Sequence, residues 1–377
     1  MKNNGMTLIG GSLKGLKLSA NVDDSSPKGT LAVRDGFVRT KSDEGWLSSA
    51  DIRDRLFDFS SVTFKSTAVG PDGMSLASWR SLLPAADYPW RSDIALFNVV
   101  AGIVQFTVPM DGLYEISAAG ATRANVVSGG ISHVREVTGV FELKAGDILH
   151  ILVGQRGTLK AWAGNVAYGG GSGGTFVSLN GRSDLLLVSG GASSCRDGST
   201  TVGQLGAAPT ASAPGTLGGL YLTSNGASSS WAQPSATYLG KGPPAAEGST
   251  GGAVYQGYAG GGGGAGSTLA DILCGRSYAD GGRGGISRAG LTAYEYAAGG
   301  FGGGGGHFIN TSGKSGYLVP GAGGYTGGHA SGSSYAVYFI SGTGGNFIKM
   351  SEAKSSSSRM VSRNVAENGY CTIKLVA

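Results

Sequence analysis

The stretch GGFGGGGGH, residues 299–307, decides the fold of this chain. Glycine has no side chain to bury, and it loses more backbone freedom on folding than any other residue. A run of this kind therefore stays disordered, or it orders its backbone by hydrogen bonding to other segments. The first outcome predicts a flexible linker, and the second predicts a rigid, water-facing scaffold.

Further glycine clusters accompany this stretch, so the choice concerns a large part of the chain. Glycine makes up 71 of the 377 residues, where average usage gives roughly 26. A run such as 260–264 can form the left-handed extended helix with three residues per turn, which has no internal hydrogen bonds. Only glycine lets such helices pack side by side. The sequence lacks the strict Gly-X-Y period of collagen, which excludes a collagen triple helix. We therefore predict a bundle of polyglycine II helices over residues 251–345. The other clusters are AYGGGSGGTF (167–176), YAGGGGGAG (258–266), DGGRGG (280–285), GAGGYTGGH (321–329) and SGTGG (341–345).

The residues before the bundle predict strands. Between 57 and 190, β-branched and aromatic residues flank turns at Asp111-Gly112, at 144–147 and at Asn180-Gly181. Each turn predicts an antiparallel hairpin, because its glycine supplies a positive φ. Short strands at this spacing predict an all-β, antiparallel sandwich. The chain ends in ENGYCTIKLVA, so residues 346–377 predict a closing strand that returns to this sandwich.

Two further segments have a different composition. Residues 1–56 carry nine Lys/Arg and seven Asp/Glu and no glycine cluster. Asp35-Gly36 predicts a tight hairpin there, and SADIRDRLF (49–57) predicts a short helix. We interpret residues 1–56 as an attachment module. Residues 191–250 are rich in Ser, Ala, Gly, Thr and Pro; they are a linker or a surface insertion, and we favour the insertion.

Composition narrows the classes of function. Charged residues make up only 14% of the chain, and the net charge of +5 is spread along it. The sequence has no basic tail of the kind that indicates a nucleic-acid partner. It also has no run of 18 apolar residues of the kind that indicates a membrane span. The start, MKNNGMTLIGGSLKG, lacks the apolar core of a signal peptide. Low charge with excess Gly and Ser is typical of exposed β structure. A virus particle, assembled in a host cytosol and working outside it, reconciles these features.

Motifs for chemistry are weak. Gly170-x-Ser172-x-Gly174 fits the nucleophile-elbow pattern, but a strand follows it where the elbow needs a helix. The histidines lack the paired spacing of a metal site, and Cys195, Cys274 and Cys371 predict free thiols. We expect no enzyme, no metal and no cofactor. A pair of glycosidase carboxylates stays open, because carboxylates meet in space rather than in sequence.

Aromatic residues among the glycines have two interpretations. They pack against the glycine bundle, or they contact a saccharide or protein at loop tips. Tyr and Trp suit the second role, because each has an apolar face and a polar group. The candidate receptor contacts are Trp231, Tyr317, Tyr325 and His329.

An ordered set of segments resembles a known family. FDFSSVTFKSTAVGPDGMSLASWRSLL (57–83) and GVFELKAGDILHILVGQRG (139–157) are followed by AYGGGSGGTFVSL (167–179), LLLVSGGA (185–192) and the clusters described above. This order is similar to the glycine-rich domain of the anaplastic lymphoma kinase and leukocyte tyrosine kinase receptors, versions of which occur in viral and bacterial surface proteins. The resemblance covers about residues 57–377 and matches 191–250 poorly. It implies a tumour-necrosis-factor-like β-sandwich with polyglycine helices between its strands.

These features predict a structural protein of a virion surface, namely a bacteriophage tail-fibre or receptor-binding component. Residues 1–56 would bind other virion proteins, and residues 57–377 would face a saccharide or protein of the host cell surface. We expect a homo-oligomer, with a trimer as the guess for a fibre protein. The alternatives are a capsid decoration or purely architectural tail protein, and an enzyme that degrades surface polysaccharide.

Overall fold

The computed structural model describes four strands within residues 1–55, and beyond them residues 56–124, 132–162, 166–192, 262–266, 273–286, 294–310, 317–325, 327–328, 331–333, 343–363 and 366–376. These residues form twenty-one strands, one α-helix, α1 (Leu76–Leu82), and one 3-10 helix (Pro89–Ser92). In chain order the strands are β1 (Leu18–Ser19), β2 (Leu31–Arg34), β3 (Phe37–Ser42), β4 (Gly45–Leu47), β5 (Ser61–Lys65), β6 (Phe97–Val100), β7 (Ile103–Thr107), β8 (Gly112–Ala119), β9 (Ser132–Leu143), β10 (Ile148–Leu152), β11 (Leu159–Trp162), β12 (Val166–Gly169), β13 (Thr175–Leu179), β14 (Leu185–Ser189), β15 (Tyr294–Ala297), β16 (His307–Asn310), β17 (Tyr317–Val319), β18 (Ser331–Ser333), β19 (Phe347–Ile348), β20 (Ala353–Arg363) and β21 (Tyr370–Leu375).

Two antiparallel sheets form a sandwich. One has six strands in the order β19-β14-β13-β10-β7-β6, and the other has five in the order β20-β9-β8-β21-β5. Successive side chains on a strand point to opposite faces, and the inward-facing ones build a shared core. Ile116 and Phe141 from the five-stranded sheet pack there with Phe106 and Ile151 from the six-stranded sheet. The prediction of an all-β antiparallel sandwich is confirmed.

Two of the three predicted sandwich hairpins are wrong. β7 and β8 lie in different sheets, and so do β9 and β10. The turns at Asp111-Gly112 and at 144–147 are therefore crossovers between the sheets. They hydrogen-bond to each other: the Val108 N–H donates to the Asp147 carbonyl (2.8 Å), and the Ala145 N–H donates to Asp111 Oδ1 (2.8 Å). Pro109 favours a crossover over a hairpin at Asp111-Gly112, because it has no N–H to donate to a hairpin ladder.

The remaining turn and strand predictions are confirmed where the structure describes them. β13 pairs with β14 around Asn180, which has a φ of 49°. β2 pairs with β3, and Arg34 lies opposite Phe37 on either side of Asp35-Gly36. β21 is the closing strand, and it lies between β8 and β5. The helix predicted for 49–57 falls largely outside the described residues, and so does the insertion 191–250 beyond residue 192.

The elements that were not predicted include α1, the 3-10 helix and β20. In α1 the side chain of Ser75 accepts a hydrogen bond from the Ser78 N–H, as an N-cap does. The 3-10 helix is tied to α1, because Arg80 Nε donates to the Arg91 carbonyl (2.8 Å). β20 pairs with β9 along its length, although its sequence, AKSSSSRMVSR, shows no apolar alternation.

The described glycine clusters are ordered by hydrogen bonds between segments. The Gly171 N–H donates to the Gly305 carbonyl (2.8 Å), and the Gly305 N–H donates to the Gly321 carbonyl (2.9 Å). A Cβ on Gly323 would overlap the carbonyl oxygen of Gly302, so the backbones touch because no side chain stands between them. We call the segments 170–174, 190–192, 262–266, 273–286, 298–306, 320–325 and 343–346 the glycine layer. These segments are a folded element and not a linker.

The glycine layer packs on the outer face of the six-stranded sheet. A second apolar cluster joins Leu152 and Phe176 of the sheet to Tyr278 and Phe301 of the layer. The Phe176 and Tyr278 rings stack with their centroids 4.9 Å apart. The six-stranded sheet is therefore buried on both faces where the layer covers it. The region predicted to be polyglycine alone also contains two short hairpins, β15–β16 and β17–β18.

Candidate functional site

Of the four predicted contact residues, Tyr325 is the one whose side chain the structure describes. Tyr325 is 1% exposed, and its ring stacks on Phe347 with centroids 4.5 Å apart. The prediction that Tyr325 contacts a receptor is therefore wrong: its ring supplies apolar packing that neighbouring glycines cannot. Tyr317 begins β17, and its side chain lies outside the described part. Trp231 and His329 also lie outside the described residues.

The residues of the weak chemical motifs are structural. Ser172 is fully buried, and its Oγ donates to the Thr122 carbonyl (2.6 Å). Its hydroxyl therefore ties the glycine layer to the segment that follows β8. His307 is 2% exposed, and burial lowers its pKa to about 3. Burial also raises the pKa of the Cys371 thiol, which is free and lies in the core. None of these groups faces solvent as a nucleophile or ligand must.

No group of three or more His, Cys, Asp and Glu side chains in the described part of the chain is placed to hold a metal ion. No helix among the described residues has the length and apolar character needed to cross a membrane.

A cleft at the edge of the sandwich is the candidate site. It has a volume of ≈ 500 Å³ and lies between the segment 58–61, which leads into β5, and the segment 87–90, which leads into the 3-10 helix. Its floor is aromatic and its rim is polar. This volume falls within the range of small-molecule pockets, roughly 300–1,000 Å³.

The floor of the cleft is part of the sandwich core. Phe59 is 8% exposed and Trp90 is 4% exposed. The Trp90 ring lies 5.4 Å from Phe57 and 5.2 Å from Phe106, measured between centroids. Such offset and edge-on ring contacts contribute about 0.5–1.5 kcal/mol each beyond the area that they bury. The floor is therefore held in place by the same packing that holds the two sheets together.

Backbone hydrogen bonds fix both walls. On one wall, the Tyr88 N–H donates to the Pro84 carbonyl (2.9 Å), which closes a helical turn before the 3-10 helix. On the other wall, the Ser60 carbonyl accepts a hydrogen bond from the Leu375 N–H (2.9 Å), at the end of β21. The half-buried Tyr88 ring lies 5.6 Å from Trp90 in an edge-on contact. Most rim residues lie in loops, and these hydrogen bonds and ring contacts tie both loops to the sandwich.

The rim presents oxygen atoms. Asp58 and Asp87 supply two carboxylates, and Ser60 and Ser61 supply two hydroxyls, all on solvent-exposed residues. None of the described residues that line the cleft is basic. Ionised carboxylates accept hydrogen bonds and cannot donate them, so a ligand of this cleft has to bring its own donors. Hydroxyl groups and ammonium groups both meet that requirement.

Sequence reasoning missed this cleft because its walls lie far apart along the chain. An acidic residue stands among aromatic residues in both Phe57-Asp58-Phe59 and Asp87-Tyr88-Pro89-Trp90. That shared composition is the available signal, but nothing in either stretch indicates that the two meet.

No family model matches the chain, and no curated protein matches it. The likeness to the glycine-rich receptor domains therefore rests on the quoted residues alone and stays a prediction.

Proposed function

We propose that this chain is a structural protein of a virion surface, most specifically a bacteriophage tail-fibre or receptor-binding component. The observation that carries the proposal is the glycine layer, in which backbones contact one another and satisfy their N–H and C=O groups across segments. Such a layer needs few apolar side chains, so it gives a stiff domain with a polar, weakly charged composition. A protein that works outside the cell on a particle needs that combination.

The finer fold that we propose is a tumour-necrosis-factor-like sandwich with a bundle of polyglycine II helices. Its support is the alternation of the chain between the two sheets at both crossovers. Further support comes from the lateral bonds of the glycine layer, for example from the Gly323 N–H to the Ser172 carbonyl (2.8 Å) and from the Gly191 N–H to the Gly323 carbonyl (2.8 Å). Polyglycine II helices are expected to bond to their neighbours in this way, because they have no internal hydrogen bonds.

Attachment to the particle is assigned to residues 1–56, and we expect their partners to be other virion proteins. β1, β2, β3 and β4 form a four-stranded sheet of their own, which shares no strand with the two sandwich sheets. A separate sheet suits a separate attachment module. The assembly that we propose is a homo-oligomer, with a trimer as the working number.

Deletion of residues 1–55 tests the attachment. The deletion leaves Leu56, whose N–H donates to the Pro109 carbonyl (2.6 Å), in place. We expect the shortened chain to keep its circular dichroism spectrum and its thermal unfolding midpoint, but to be absent from purified particles. Full-length chain carrying Glu115→Gln, a change on the outer face of the five-stranded sheet, is the control and should be incorporated normally. Incorporation of the shortened chain at the normal level would overturn the assignment.

An architectural tail role or capsid decoration is the alternative within the virion. Purified full-length chain separates the two, because an adhesin binds host cells and blocks infection, whereas a decoration protein does neither. The enzyme alternative has one specific observation in its favour, the two carboxylates of the cleft. Release of sugar from host envelopes would identify it.

A further inference from the structure

We propose that the cleft between 58–61 and 87–90 binds an uncharged saccharide. The Asp87 carboxylate accepts hydrogen bonds from its hydroxyl groups, and Tyr88 packs against its ring. As a site of host attachment, this inference rests on the function proposed above. As a binding site, it rests on the contacts of the cleft alone.

The first argument is the match of donors and acceptors. Asp87 is exposed at the rim and carries only acceptor atoms, and the hydroxyls of Ser60 and Ser61 both accept and donate. A saccharide offers several hydroxyl donors on one face of a ring, so neighbouring hydroxyls can bond to one carboxylate. Hydrogen bonds to an ionised acceptor are about twice as strong as bonds between neutral groups.

The second argument is the aromatic surface. Tyr88 is half-buried at the rim, above Trp90 in the floor. Its ring offers an apolar face for the C–H groups of a sugar, and its hydroxyl offers a polar group beside that face. Aromatic and carboxylate groups side by side suit a ligand that is apolar on its ring faces and polar around its edge.

The third argument is that the cleft is preorganised. Arg80 Nη2 donates to the Ser92 carbonyl (3.0 Å), and Arg91 Nη1 donates back to the Arg80 carbonyl (2.5 Å). The wall that carries Asp87 and Tyr88 is therefore cross-linked to α1 before any ligand arrives. Weak ligands such as single sugars benefit from this, because little conformational freedom is lost on binding.

We expect the cleft to bind the saccharide without hydrolysing it, because its two aspartates are exposed. A glycosidase keeps its acid protonated by placing it in an apolar pocket. Asp58 and Asp87 instead lie on exposed residues at a polar rim. A metal ion does not fit either, since the described lining offers two carboxylates and no third acidic, His or Cys side chain.

Saturation-transfer NMR on the full-length chain tests the inference, with glucose, galactose and N-acetylglucosamine as probes. We expect one or more of them to bind with a Kd of about 10 mM or tighter. Asp87→Asn and Tyr88→Ala should each weaken binding about tenfold. Tyr88→Phe, which keeps the ring, and Glu115→Gln, a carboxylate-to-amide change on β8 outside the residues that line the cleft, should stay within about twofold of the unaltered chain. Each variant's thermal unfolding midpoint should equal that of the unaltered chain.

Several outcomes would overturn the inference. It would be wrong if none of the three sugars bound, or if Asp87→Asn bound them as well as the unaltered chain does. It would also be wrong if methylammonium bound in place of sugars, or if the chain released reducing sugar from host polysaccharide. If the chain binds sugar through Asp87 but is missing from particles, this inference is supported and the proposed function is contradicted. A chain found on particles that binds none of the sugars would do the reverse.

Discussion

Glycine is required at two kinds of position in this chain, and the two kinds differ physically. Gly146 has a φ of +88°, and a Cβ placed there would meet nothing within 4 Å. Its requirement is conformational, because other residues rarely adopt that backbone. Gly323 has no such φ, but a Cβ on it would overlap the Gly302 carbonyl. Its requirement is one of space between backbones.

Alanine substitutions separate these two requirements. Gly323→Ala is expected to lower the free energy of unfolding by about 3 kcal/mol or more, since backbone rather than a flexible side chain has to move. Gly146→Ala is expected to lower it by only about 1–2 kcal/mol, the strain of a left-handed residue. Urea denaturation of both variants measures the difference. Equal losses would mean that the glycine layer yields more readily than its contacts imply.

Buried His307 adds a pH dependence. Its pKa is about 3 in the folded chain, against an ordinary value of 6.5, because burial disfavours the charged ring. The unfolded chain therefore takes up a proton that the folded chain refuses. The stability contributed by the neutral ring is complete above pH 6.5 and is lost as the pH falls toward 3, at up to about 1.4 kcal/mol per pH unit.

Replacement of His307 by glutamine is expected to remove most of this slope. Stability measured by urea denaturation between about pH 6.5 and 5 isolates the effect, since most carboxylates stay ionised there. His150→Gln is the control, because His150 is only half-buried and the change should flatten the slope less. An unchanged slope in His307→Gln would show that the ring is protonated in the fold.

At the scale of elements, β21 holds the five-stranded sheet together. It lies between β8 and β5, and alternate residues point into and out of the core. Ile373 is fully buried between the sheets, whereas its neighbour Lys374 is exposed. One strand therefore offers a core position and a surface position with the same backbone partners.

Alanine substitutions on this strand should differ sharply. Ile373→Ala is expected to cost about 2–5 kcal/mol of unfolding free energy, from lost burial and the cavity left behind. Lys374→Ala should change it by no more than about 0.5 kcal/mol. Denaturant unfolding monitored by tryptophan fluorescence gives both values. A small loss in Ile373→Ala would mean that the core closes around the vacated space.

Sequence predicted these elements where local chemistry decides the outcome. Asn180 tolerates a left-handed backbone and made the β13–β14 turn predictable. The same reasoning failed at Asp111-Gly112, because an Asp-Gly pair permits both a hairpin and a crossover. The choice is made by Asp147 and Ala145, which come from another connection. β20 was missed because its serines carry no alternating pattern.

At the scale of the whole molecule, the glycine layer is a third layer and not an appendage. It covers Leu152 and Phe176, whose side chains would otherwise be apolar groups on an open sheet face. Sequence predicted that the glycine segments would pack side by side, but not which sheet they cover. The cleft was not predictable for the same reason. Asp58 and Asp87 line one cleft only because β5 and the 3-10 helix pack on the same aromatic core. Long-range packing decides both features.

The pairing of β5 with β21 also places two distant parts of the chain side by side. Ser61, at the start of β5, lies opposite Lys374, near the end of β21, so the strands that open and close the domain are about 5 Å apart there. A unit of this geometry can be placed within a surface loop of another protein while parting the ends of that loop very little. We therefore expect the sandwich and its glycine layer to keep their fold when residues 56–376 are inserted into such a loop.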